Sequence, residues 1–236
     1  MIRHVLLDFD RTLNDSDFVY EKNLDGFLGL TGRQVLQHWE AIHRDVINSQ
    51  PRERHEDLDL HYNLMIEKWR LQDPDSVKQE LKRRIKAAQE ECWYATALFQ
   101  ESFPFLHTLK DAGYTLHIAT GDYAQQKAEA IQRQAGRVFF DRAFDESVLG
   151  VGKGKRDYFD RLLAQLGAPA SDALVVGDSL ANDIGPARQV GIATIWVRRK
   201  TEKLNDTIVP DVTVGSLIEA LEHLRQQWGA GVGFNV

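Results

Sequence analysis

Two aspartates, Asp8 and Asp10, stand one residue apart directly after a short apolar run that begins at His4. Thr120-Gly121-Asp122 follows a second apolar run, and Gly177-Asp178 follows a third, with Asp183 close behind. Lys153 lies in the glycine-rich loop Gly150-Val-Gly-Lys-Gly-Lys155. If each run is a strand of a parallel sheet, these groups meet on one rim, because ligands bind beyond the carboxyl ends of such strands. Carboxylates crowded on one rim repel each other, and a hard divalent cation with oxygen ligands relieves them. A lysine and a threonine hydroxyl beside that cation suit a phosphoryl group. Each residue also has a plain reading when taken alone. Asp178 and Asp183 suit a helix cap, Thr120 suits a structural role, and a loop lysine suits solvent. The Asp-x-Asp spacing recurs at Asp15/Asp17, Asp57/Asp59 and Asp73/Asp75, none of which follows an apolar strand. The joint occurrence, in this order at strand ends, carries the inference.

The elements that must position these groups alternate. Residues 4–7 read as a buried strand; 114–119, 173–176, 192–197 and 212–214 read as further strands, and 138–144 contains a short one. Between them, helical periodicity covers 123–135, 156–166, 182–190 and 217–227, and a further helix carries Leu106 and Leu109 up to Gly113. This alternation predicts an α/β fold, a Rossmann-like parallel sheet with helices on both faces. Residues 16–95 differ. Thr31 caps a helix with Val35, Leu36, Trp39, Ile42, Val46 and Ile47 on one face. A second helix starts near Asp57, and a third at Asp73-Pro74, a cap residue followed by proline. The expected organisation is a core of residues 1–15 and 96–236 interrupted by an all-helical domain at 16–95. The glycine-rich ending, 229–236, is expected to fray.

The chain has 236 residues, 43% of them apolar and 27% charged, with a net charge of −6. That balance is globular, and it lacks the basic face that nucleic-acid binding needs. One cysteine, Cys92, rules out an intrachain disulfide framework. No segment has the length of a membrane span or a signal-peptide core, so the cytosol is the expected location.

The ordered set Asp8-Phe-Asp-Arg-Thr12-Leu, Ile-Ala-Thr120-Gly121, Gly-Lys153 with Tyr158-Phe159, and Val-Gly-Asp178-Ser-Leu-Ala-Asn-Asp183 resembles the four motifs of the haloacid dehalogenase superfamily. The resemblance covers nearly the whole chain, and the block at 16–95 is placed like that superfamily's helical cap. It implies that Asp8 is a nucleophile forming an aspartyl-phosphate, and that Asp10 is the general acid and then the base. Thr120 and Gly121 are implied to bind the phosphoryl oxygens, and Lys153 to hold Asp8 and the phosphoryl charge. Asp178 is implied to ligate Mg²⁺ with the Asp8 carboxylate and the Asp10 main-chain carbonyl, with Asp183 behind them or acting through water. Two positions depart from the common pattern. Arg11 stands where many members have glycine, and Gly154 where many have proline, which leaves Lys155 as an alternative to Lys153.

Within that superfamily the second acid favours phosphate-ester hydrolysis over dehalogenation, since halide leaves without a proton. The implied partner is a small phosphorylated metabolite. A phosphosugar mutase shares every motif, and a regulatory protein on the same fold is the reading from another class. A P-loop fails on spacing, because Arg156 follows Lys155 where serine or threonine is required. The histidines of residues 16–95, His38, His43, His55 and His61, show no metal-binding spacing, and the tryptophans there fit helix faces.

Overall fold

Val5, Leu6 and Leu7 are all fully buried, which makes β1 (His4–Leu7) a strand covered on both faces. The computed structural model describes residues 1–51, 54, 57–71, 73–199 and 207–228. β1 pairs in parallel with β2 (Thr115–Ala119) on one side and β4 (Ala173–Gly177) on the other. Adding β3 (Phe140–Phe144), β5 (Ala193–Val197) and β6 (Val212–Val214) gives a six-stranded parallel sheet in the order β3-β2-β1-β4-β5-β6. The order reverses direction at β1, the kind of switch point where such sheets bind ligands. Leu7 is in register with Ile118 and Val176, so the residues that follow all three strands emerge together.

Successive residues point to opposite faces of the sheet. Val5, Leu7, Ile118 and Val176 join α5 (Ser102–Asp111), α6 (Ala124–Ala135) and α10 (Leu217–His223) in one core. Leu6, Val175 and Phe144 join α8 (Arg156–Leu166) and α9 (Gly185–Gln189) in the other. The sheet is therefore sandwiched by helices, the expected architecture.

By its contacts the chain divides into Met1–Asp15 with Trp93–Val236, and Ser16–Cys92. The second unit is helical: α1 (Ser16–Leu24), α2 (Gly32–Ser49), α3 (Leu58–Trp69) and most of α4 (Pro74–Trp93). Thr31 closes a reciprocal capping box with Gln34, and the Asp57 side chain accepts from the Leu60 amide. Leu24, Phe27, Val35, Ile42, Met65, Leu81 and Ile85 form its core, with Trp39 and Trp69 packed against it. Gly32 is required there, since a Cβ would lie 1.7 Å from the Glu21 carbonyl oxygen. The division falls after Cys92 rather than at 95. The Trp93 and Tyr123 rings meet in a tilted pair with centroids 3.9 Å apart, and Ala95 is buried in the sheet unit's core.

Three elements differ from expectation. Helix α1 forms in a stretch whose charge pattern does not announce it. Residues 182–190 are not one helix. Leu180–Ile184 is a π-helical turn and α9 follows, with Pro186 lacking the amide that would continue the ladder. The closing helix stops at His223 and passes into a π-helical turn, Leu224–Trp228. The ending at 229–236, His55 and the side chain of Ile47 lie outside the described residues. No helix among the described residues is long and apolar enough to cross a membrane.

Candidate active site

Asp8 is the first residue beyond β1 and is almost completely buried. One carboxylate oxygen lies 2.5 Å from Lys153 Nζ, and the other accepts from Thr12 Oγ1 at 2.8 Å. Lys153 Nζ also lies 2.6 Å from Asp183 Oδ1. Asp183 Oδ2 accepts from the Ser179 amide at 2.9 Å. Gly177 allows this packing, because a Cβ there would come within 2.5 Å of the Asp183 carboxyl group. Asp178 accepts from Arg11 Nε at 2.7 Å, and its main-chain oxygen accepts from Trp196 Nε1 at 2.7 Å. The lysine loop is braced by Glu146, at the start of the short helix α7 (Glu146–Leu149). Its carboxylate accepts from the Lys153 amide at 2.8 Å.

Asp10 faces a different neighbour. Its Oδ2 lies 2.9 Å from Nζ of Lys127, on α6. That ammonium also reaches Asp122 Oδ1 at 2.6 Å and Thr120 Oγ1 at 3.3 Å, and sits 4.9 Å from the centre of the Phe9 ring. The Thr120 carbonyl accepts from the buried Tyr158 hydroxyl at 2.9 Å, which pins the end of β2. Gly121 carries no side chain and receives the Glu146 amide on its carbonyl. Arg11 adopts a left-handed conformation with φ 60°. Glycine takes such a conformation at no steric cost, which accounts physically for the residue common at this position.

The electrostatics follow from burial. Asp8, Asp178 and Asp183 each offer an oxygen within 4.8 Å of the others. Burial, with Asp8 and Asp183 close by, pushes the Asp178 carboxyl up to about 8 against the pull of Arg11. Burial likewise raises Asp183, with Lys153 opposing it. Burial alone would strip the proton from Lys153, but the Asp183 and Asp8 carboxylates reverse this and raise its pKa. Three converging hard oxygen donors that resist joint ionisation fit a divalent cation such as Mg²⁺, which repays their mutual repulsion.

The structure brings Asp8, Lys153, Asp178 and Asp183 together, and sets Asp10 and Thr120 beside them around Lys127. Lys155 is exposed at the start of α8, so Lys153 is the lysine that reaches Asp8. Sequence reasoning passed over Lys127. Its signal was available: positions 124, 127, 128 and 131 form the buried stripe of α6, and a lysine fills one of them.

The model of the haloacid dehalogenase-like hydrolases matches residues 2–191. The chain belongs to this family. As a haloacid dehalogenase-like hydrolase it resembles the glyceraldehyde 3-phosphate phosphatase of Methanocaldococcus jannaschii, with 28% identity over 52% of this chain and 57% of that protein. It also resembles the enzyme of the same name from Methanopyrus kandleri, with 24% identity over 96% of this chain and 98% of that one. Among solved structures, the hydrolase YfnB of Bacillus subtilis, determined bound to magnesium, superposes with a TM-score of 0.73. The two are 20% identical, over 94% of this chain and 98% of that one.

Proposed function

We propose that this hydrolase is a Mg²⁺-dependent phosphomonoesterase acting on a small phosphorylated metabolite through an aspartyl-phosphate on Asp8. The observation that carries the reading is the pairing of a nucleophile-competent carboxylate held by a buried lysine with a second carboxylate, Asp10, two residues on. Relatives named as phosphatases support the same class.

Asp8 attacks phosphorus through one carboxylate oxygen while Lys153 and Thr12 hold its orientation. Asp10 gives its proton to the departing ester oxygen, then takes one from the water that attacks the aspartyl-phosphate. Splitting hydrolysis this way makes one difficult displacement into two easier ones. The Thr120 hydroxyl, the Gly121 backbone and the Lys153 ammonium receive the phosphoryl oxygens, whose charge must be balanced in the transition state. Mg²⁺ held by the side chains of Asp8, Asp178 and Asp183 and the main-chain oxygen of Asp10 would supply further charge neutralisation there. Residues 16–92, inserted after β1, are the family's cap by their place in the chain and would select the substrate. The cytosol is the compartment that suits such a substrate.

The test is a panel of phosphomonoesters beginning with glyceraldehyde 3-phosphate, the substrate named for two relatives, assayed for released phosphate with Mg²⁺ and with EDTA. Phosphate release that needs Mg²⁺ is expected. Isomerised sugar phosphate without free phosphate would identify a mutase, and no turnover across the panel would remove the enzymatic reading.

A further inference from the structure

The second buried lysine has no role in the reaction as described. Lys127 is 1% exposed and projects from the apolar stripe of α6, among Ala124, Ala128 and Ile131. Packing alone would be served by an aliphatic side chain there. Removing an ammonium from water costs several kcal/mol unless partners replace the solvent. Here the partners are the carboxylates of Asp10 and Asp122, the Thr120 hydroxyl and the Phe9 ring. They lie at the ends of β1 and β2, the two strands that carry the acid/base and the phosphoryl-binding hydroxyl. Asp122 is more than half exposed and belongs to neither group, so it anchors the ammonium from the solvent side.

We propose that Lys127 is a positioning residue that fixes the Asp10 carboxyl group against the leaving oxygen and ties it to Thr120. The inference rests on Asp10 being the acid/base of ester hydrolysis. Asp10 has two rotatable side-chain bonds, and proton transfer demands a heavy-atom approach of about 2.6–3.2 Å. A rigid buried cation bonded to one carboxylate oxygen removes that freedom before substrate arrives. The proton balance is unchanged. It passes from Asp10 to the ester oxygen as the phosphorus–oxygen bond breaks, and returns to Asp10 from the attacking water.

The readout is leaving-group dependence, which a merely structural loss does not alter. Turnover of an aryl ester, p-nitrophenyl phosphate, and an alkyl ester, glycerol 1-phosphate, is compared with Mg²⁺ in wild type, Asp10→Asn, Lys127→Met, Lys127→Arg and Asp122→Asn. Asp10→Asn tests the underlying reading, and should lose far more on the alkyl ester. Lys127→Met should show the same bias at about 10–100-fold on the alkyl ester, below the roughly 10²–10⁴-fold of losing the acid itself, with little change in KM. Lys127→Arg should recover part of it. Asp122→Asn, at an exposed site that leaves the core intact, should show the bias in weaker form and serves if Lys127→Met does not fold. In the Asp10→Asn background, Lys127→Met should add little. Equal losses on both esters in Lys127→Met, or in Asp122→Asn where that variant alone is folded, overturn the role of Lys127. No bias in Asp10→Asn removes the acid/base reading, and the inference with it.

Discussion

The two aspartates that follow β1 live in opposite surroundings. The Asp8 side chain is 8% exposed and shares a buried lysine with Asp183. The Asp10 side chain is 36% exposed and shares its lysine with the still more open Asp122. On the Asp8 side, three acids crowd within 4.8 Å and carry raised pKa values at Asp178 and Asp183, the mark of a place built for added positive charge. On the Asp10 side, a lysine already neutralises much of the charge and solvent reaches the carboxyl group. One side is suited to hold charge still, the other to move a proton. Residues two apart on an extended chain would face the same way, but here the chain has left β1 at Asp8 and enters the turn that carries Arg11 at φ 60°.

The comparison breaks most severely at Asp8. Asp8→Asn should lower turnover by at least about 10³-fold, as removal of a nucleophile does, while the thermal transition stays cooperative. Retention of a tenth of the activity would mean the two sides have been assigned the wrong way round. Asp10→Asn should cost about 10²–10⁴-fold, and it should accumulate phosphorylated Asp8 when given acetyl phosphate. Intact-mass spectrometry after rapid quenching detects that species, and its absence would leave Asp10 without a part in hydrolysing the intermediate.

A third measurement separates the sides without any assay of activity. Saturating Mg²⁺ at about 100 times its dissociation constant stabilises the folded state by about 2.7 kcal/mol, a rise in Tm of about 5–10 °C for a chain of this size. Asp178→Asn should lose the rise and Asp10→Asn should keep it. A rise that survives Asp178→Asn would place the cation elsewhere. The smallest effect concerns the metal-free protein. The folded pKa of Asp178 is raised to about 8, so its protonated form is favoured on folding. The stability it contributes is complete below the ordinary carboxylate range and disappears as pH rises through about 8. Metal-free Tm should fall between about pH 4 and 8, and Asp178→Asn should flatten that slope. An equal slope in the variant would assign it to other groups.

Much of this was legible from the residues alone. The strand ends announced themselves because β1, β2 and β4 are apolar runs stopped by polar residues, and parallel register then forces Asp8, Thr120 and Asp178 to one rim. The capping signals at Thr31 and Asp57 fixed two helix starts for local reasons. What stayed hidden depends on distant partners. Lys127 reads as a surface lysine until the Asp10 and Asp122 carboxylates are set against it. The pairing of Arg11 with Asp178 needs the turn after Asp10, and the π-helical turn at Leu180–Ile184 is tied to Ser179, whose carbonyl accepts from both the Asp183 and Ile184 amides. Helix α1 has almost no amphipathic pattern, and its place is set by Gly32 meeting the Glu21 carbonyl, a contact between backbones that leaves no trace in side-chain periodicity.

The central placement of β1 also has a temporal side. Its site contacts bridge 117 residues to Lys127, 145 to Lys153 and, through Arg11, 167 to Asp178. A ribosome adding about 5–20 residues per second needs roughly 10–30 s to deliver the last of these after the first strand has emerged. Until β2 emerges β1 is an apolar strand with both edges unpaired, and the edge that β4 covers stays open longer, a liability for mispairing. It is also chemically silent, because Asp8 then has neither its lysine nor its acidic neighbours. The full set of site groups arrives only with β4, so an incomplete chain carries Asp8 without the neighbours proposed to make it reactive.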